Sequence, residues 1–116
     1  MEYGNCIDVK DYNGIRTVFT NTQWKIKQTQ RPELQEKSII ERIKKTVQEP
    51  SFVYSDLSDK TRSAYYMMEY RVNGRNRYLK VVIKKYKKYN FIITAYRPDY
   101  VKERGKTKCI YGKDND

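Results

Sequence analysis

Asn73-Gly74 separates two long β-like runs, and this dipeptide constrains the second half of the chain more than any other feature. Both residue types accept the left-handed backbone of a two-residue hairpin turn. Segments 64–72 and 77–86 are therefore expected to fold back on each other as antiparallel strands. Residues 87–90 form another turn, and 91–97, rich in β-formers, returns as a further strand until Pro98 ends it. A short strand over 52–54 and a polar loop over 56–62 precede this meander.

Upstream of Pro50 the period is helical. Ile39, Ile40, Ile43 and Val47 share one side of a helix, with Glu41, Arg42, Lys44 and Lys45 opposite. A second, weakly amphipathic helix runs from a cap at Asn21 or Thr22 through Trp24 and Ile26 to Gln30, and Arg31-Pro32-Glu33-Leu34 breaks the chain after it. Segments 6–10 and 15–19 flank Asp11-Tyr12-Asn13-Gly14, the signal of an N-terminal hairpin over 6–19. These elements predict an α+β fold as a single domain over 1–116: a hairpin at 6–19, helices over about 21–48, a sheet over about 52–97 and a basic C-terminal tail. The expected architecture is N-terminal helices packed on one face of a four-stranded antiparallel sheet.

Side-chain alternation divides that sheet into faces. Leu79, Val81 and Ile83 form the core side, joined by Ile93 beneath Ile39, Ile43 and Val47. Tyr78, Lys80, Val82 and Lys84 point the other way. On the neighbouring strand, Thr94 and Tyr96 fall on the same side as Lys80 and Lys84, which places ammonium, hydroxyl and phenol groups together.

Composition adds a partner class. Residues 1–59 hold nine Lys or Arg against nine Asp or Glu, whereas residues 60–112 hold fifteen against three, so nearly all of the net charge of +11 lies in the second half. Nine of the twelve tyrosines lie there too. A basic, aromatic-rich segment suits phosphate neutralisation and base stacking. Ile, Leu, Val and Phe number only 24 of 116, and the tyrosines and Trp24 must supply the missing buried area. There is no long apolar span and no signal-peptide pattern, which predicts a cytoplasmic chain with no membrane contact. The chain has no His and only Cys6 and Cys109, so zinc sites and Cys-His nucleophiles are excluded. Two buried thiols in a reducing compartment are the main reading of the cysteines, and a disulfide joining the chain ends is the other.

A resemblance sharpens these expectations. It is carried by Trp24-Lys25-Ile26, Arg31-Pro32-Glu33-Leu34, the helix that stops at Pro50 before Phe52-Val53-Tyr54, Tyr65-Tyr66, the run from Tyr78 to Ile83, and Phe91-Ile92-Ile93-Thr94-Ala95-Tyr96. In order and spacing these resemble the phage-type branch of the barnase, EndoU, colicin and RelE ribonuclease superfamily, over residues 24–104. The resemblance implies metal-independent RNA cleavage on an open sheet face, without a cofactor, and a toxin-like role. Relatives often place a histidine where this chain has Lys25, while RelE-like branches cut RNA with Lys, Arg and Tyr.

RNA cleavage by 2′-hydroxyl attack needs a base, an acid and cations around the phosphorane. On this scheme Lys25 and Tyr96 transfer protons, Lys80 and Arg97 stabilise phosphate, and Thr94 orients. Neighbouring cations would favour a neutral Lys or a tyrosinate as base. Arg62, Arg71, Lys84, Lys85, Lys87 and Lys88 hold flanking phosphates. The partners are RNA and an acidic immunity or antitoxin protein that would cover the same basic cleft. The alternatives are a non-catalytic RNA- or DNA-binding module of the same fold, and an interaction protein whose basic face docks an acidic protein.

Overall fold

The computed structural model describes residues 4–114. Its strands are β1 (Asn5–Lys10), β2 (Arg16–Thr20), β3 (Phe52–Ser55), β4 (Arg62–Val72), β5 (Arg75–Lys85), β6 (Asn90–Tyr96) and β7 (Cys109–Gly112). Its helices are α1 (Asn21–Gln30) and α2 (Ile39–Gln48), with a 3₁₀ turn at Pro32–Gln35 between them. The fold is α+β, but the expected four-stranded antiparallel sheet is wrong. There is one seven-stranded sheet in the order β1-β2-β6-β5-β4-β3-β7, and β2 and β6 run parallel.

Two additions produce the larger sheet. The N-terminal hairpin joins through Thr17↔Asn90 and Val18↔Phe91. At the far edge the chain end, expected as a basic tail, returns as β7 along β3. There Gly112 has φ +73° and lies so close to Ser51 that a Cβ would collide with the Ser51 carbonyl, so only glycine fits. The sheet also curls, since Tyr12 beside the first strand reaches Tyr111 of β7 with ring centroids 4.1 Å apart.

Sequence order explains the local elements. Asn73 and Gly74 take φ 51° and 78° and close the β4–β5 hairpin, as the turn chemistry requires. The oxygen capping α1 belongs to Thr20, which accepts from Gln23 N at 3.1 Å, one residue before the expected cap. In α2 the buried residues are Ile39, Ile43, Thr46 and Val47, and Ile40 packs against the same core from a half-buried position. They close over Leu79, Val81, Ile83, Phe19, Val53 and Tyr65.

One expected core residue is displaced. The β5–β6 register shifts between Val82 and Ile83, so that Ile83 pairs Ile92 while Val82 pairs Thr94. Ile93 is the extra residue of this bulge and is half-buried, and Ile92 and Ala95 enter the core. A bulge of this kind breaks strict alternation by one residue. Both cysteines are free, Cys6 on β1 and Cys109 on β7, at opposite ends of the strand order. The disulfide reading is therefore not met, and Cys109 is exposed rather than buried.

Candidate nucleic-acid interface

The helices occupy one face of the sheet; the opposite face is divided. Over β3, β4 and β5 the residues Phe52, Tyr54, Ala64, Tyr66 and Tyr78 form a second apolar cluster capped by Val101. The cap is the irregular segment between β6 and β7, and it brings down Glu103, which is fully buried. Glu103 accepts from Tyr66 Oη at 2.5 Å and from Lys80 Nζ at 2.7 Å. Burial, and then the bond to this carboxylate, push the Tyr66 phenol far above its ordinary value. A sheet face expected to be open is thus partly sealed by its own chain.

The part that stays uncovered lies over β2 and β6. The β5–β6 register puts Tyr96 opposite Lys80 and Thr94 opposite Val82, on the face away from the helices. Beyond Val18 the strand β2 leaves β6 and becomes α1, and Gln23 Nε2 replaces the missing strand partner by donating to the Ile93 carbonyl at 2.7 Å. This brings the end of α1 to the sheet margin. Arg31, just after the helix, places its guanidinium 4.3 Å from the Tyr96 ring centroid while its Nε donates to Thr94 Oγ1 at 3.2 Å. Lys80 Nζ lies 5.5 Å from the same ring. A cleft of about 360 Å³ opens here, with Arg31, Glu33, Lys80, Tyr96, Tyr100 and Lys102 among its walls.

Three of the expected catalytic residues, Lys80, Thr94 and Tyr96, therefore meet. Lys80 is only 2% exposed and bound to Glu103. A carboxylate, not a cluster of cations, is its nearest charge. Arg97 also lines the cleft, but its guanidinium is committed to Glu69 at 2.7 Å and Glu36 at 2.8 Å. The bond to Glu69 raises the Arg97 pKa further, and burial works against it. Burial also opposes ionisation of Glu69, but Arg97 and Arg42 outweigh it and hold the carboxyl below its ordinary value. Lys25 lies on the exposed side of α1 and is not among the cleft walls.

The six residues expected to hold flanking phosphates are spread over the sheet. Lys84 pairs with Asp59 at 3.2 Å, and Arg62 Nε sits 3.4 Å from the same carboxylate without hydrogen-bond geometry. Bonds from Thr61, then from Lys84, hold Asp59 down to about 2. Arg71 folds onto its own turn, donating to the Gly74 carbonyl at 2.7 Å. Lys85 is half-buried, whereas Lys87 and Lys88 project from the β5–β6 turn.

Sequence reasoning missed Arg31, Glu33, Lys102 and Glu103 as site residues. Arg31-Pro32-Glu33 was legible as a break between helices, yet nothing in the sequence shows that the break lands beside Tyr96. No protein-family model matches the chain, and no curated protein or solved structure matches it significantly. Among the described residues no helix is long and apolar enough to cross a membrane, and no group of three or more Cys, Asp or Glu is placed to hold a metal ion.

Proposed function

We propose that this protein is a metal-independent endoribonuclease that binds RNA across the uncovered part of the sheet and cuts it beside Tyr96. The observation that carries the reading is the meeting of Arg31, Glu33, Lys80, Tyr96 and Lys102 in one cleft, because this supplies an acid, a base and cations together. Glu33 takes the proton of the 2′-hydroxyl, and the freed oxygen attacks phosphorus. The bond from phosphorus to the 5′-oxygen breaks, and Tyr96 protonates that oxygen. Arg31 and Lys102 stabilise the charge on the phosphorane, while Lys80, its charge paired with Glu103, lines the cleft. The products are a 2′,3′-cyclic phosphate and a 5′-hydroxyl, and water returns the proton from Glu33 to Tyr96. The motif resemblance to phage-type ribonucleases supports the same chemistry, although the sheet departs from the four-stranded form it implied.

Cleavage of labelled RNA in EDTA tests the reading. Wild type should yield the cyclic phosphate, and Glu33→Gln and Tyr96→Phe should each cut about 10²- to 10⁴-fold more slowly with RNA affinity preserved. Wild-type rates in both variants would remove the assignment. Binding itself should weaken by orders of magnitude between about 50 and 200 mM salt if five to eight phosphates are neutralised.

A second reading is favoured by the burial of Lys80 in an ion pair: the face binds RNA without cutting it. Salt-sensitive binding with no product at any RNA concentration would select this reading.

A further inference from the structure

The β5–β6 turn carries an aromatic cluster that the cleavage chemistry does not use. Tyr86 is 50% exposed and Tyr89 38% exposed. They are stacked, with centroids 5.7 Å apart and planes at 19°. Phe91 meets both edge-on, at 5.4 and 5.0 Å. Between the tyrosines the turn projects Lys87 and Lys88. Beside Tyr89 and Phe91 lies a groove of about 240 Å³, completed by Asn5, Arg16, Val18 and Thr20. Its residue Val18 is buried, Asn5 and Thr20 offer amide and hydroxyl groups, and two bonds to Asp8 fix the guanidinium of Arg16.

This groove has the parts of a base-binding subsite. The aromatic rings and Val18 offer an apolar surface to a planar ring, Asn5 and Thr20 can bond its edge, and lysines beside it attract the backbone. The Arg16–Asp8 pair is electrically neutral, so the attraction to phosphate comes from the turn lysines. The groove and the Tyr96 cleft share the sheet face: Phe91 pairs Lys84 and Tyr96 pairs Lys80, four residues apart along β5. At about 3.3 Å per residue this is roughly 13 Å, a distance a few nucleotides span.

We propose that an unpaired base of single-stranded RNA stacks against Tyr89 in this groove, and that the Tyr86–Tyr89 pair is its platform. Single strands are specified because a base inside a duplex has both faces covered by its neighbours. The proposal rests on the ribonuclease reading for its choice of RNA, but the platform takes the face of a base and so can be probed without cleavage.

The probe is a short single-stranded 2′-deoxy oligonucleotide containing 2-aminopurine, which lacks the 2′-hydroxyl needed for cutting. Wild type should bind it and quench the 2-aminopurine by stacking. Tyr89→Leu should weaken binding about 5- to 100-fold and abolish the quench, while leaving the slope of affinity against salt unchanged. Tyr89→Trp should restore both. Lys87→Ala with Lys88→Ala should instead flatten the salt slope and keep the quench. Thermal melting of each variant confirms that the fold persists, and Tyr86→Leu offers a second route if Tyr89→Leu does not fold. Absence of wild-type binding, equal binding by Tyr89→Leu, or an equal loss on duplex would each overturn the proposal. If the quench depends on Tyr89 while wild type cuts no RNA, the subsite stands and the cleavage reading falls. If RNA is cut and Tyr89→Leu binds normally, the reverse holds.

Discussion

The two parts of the sheet face away from the helices use similar side chains to opposite ends. Over β3 and β4, Tyr54 and Tyr66 lie under Val101 and Glu103 and act as core. Over β6, Tyr96 lies half-buried beside Arg31, and Phe91 lies half-buried beside Tyr89. Nothing in the strands themselves separates the two sets, since aromatic residues are simply good strand formers. The cover decides: a tyrosine beneath the returning chain becomes structural, and one at its edge, beside Tyr100 and Lys102, stays open to a ligand. Lys80 marks the boundary, with its ammonium bound to the cover and 5.5 Å from the ring of the open tyrosine.

This contrast can be broken most forcefully at Glu103. Glu103→Ala strands the buried Lys80 charge and the Tyr66 hydroxyl, and should cost about 3–5 kcal/mol in urea unfolding. Replacing the pair together, with Lys80→Met and Glu103→Leu, should recover most of that loss. A cost below about 1 kcal/mol for Glu103→Ala would show that the cover is held by something else. Next in size, Tyr66→Phe should cost about 1–3 kcal/mol because it removes a donor from a buried carboxylate. Tyr96→Phe should change stability by no more than about 0.5 kcal/mol, and equal costs for the two would erase the distinction.

The smallest expected effect is on alkaline stability. The Tyr66 pKa is raised in the fold by burial and by Glu103. Its stabilising contribution is therefore complete below the unfolded value of about 10 and declines as pH rises above that. Unfolding free energy measured between about pH 9 and 11 should fall less steeply in Tyr66→Phe than in wild type. Identical slopes would mean that Tyr66 is accessible despite its cover.

The same contrast shows how far the sequence could be read. The β4–β5 hairpin and the core face of Leu79, Val81 and Ile83 were legible because turn chemistry and alternation are local. So was α2, whose apolar residues recur at one period. Placing Thr94 and Tyr96 on the face with Lys80 was also legible, yet Ile93 was misassigned because a bulge leaves no compositional mark. The cover was out of reach. Val101 is a lone apolar residue in a charged stretch, and Glu103 looks like any solvated carboxylate until Lys80, 23 positions away, lies against it. The edge strand β7 and the parallel β2–β6 pair depend on similarly distant partners. The missed cleft residue Glu33 sits in a chain break whose destination only the tertiary structure fixes.

The path of the cover also constrains how the molecule assembles. Between β6 and β7 the chain crosses the sheet from an inner strand to its far edge, and β7 pairs Phe52 with Gly112. Because this segment follows β1 to β6 in the chain, a ribosome completes all the strands it shields before it makes the shield. During that interval Phe52, Tyr54 and Tyr66 are exposed on a sheet whose β3 edge is still unpaired, and the nascent protein is most open to aggregation.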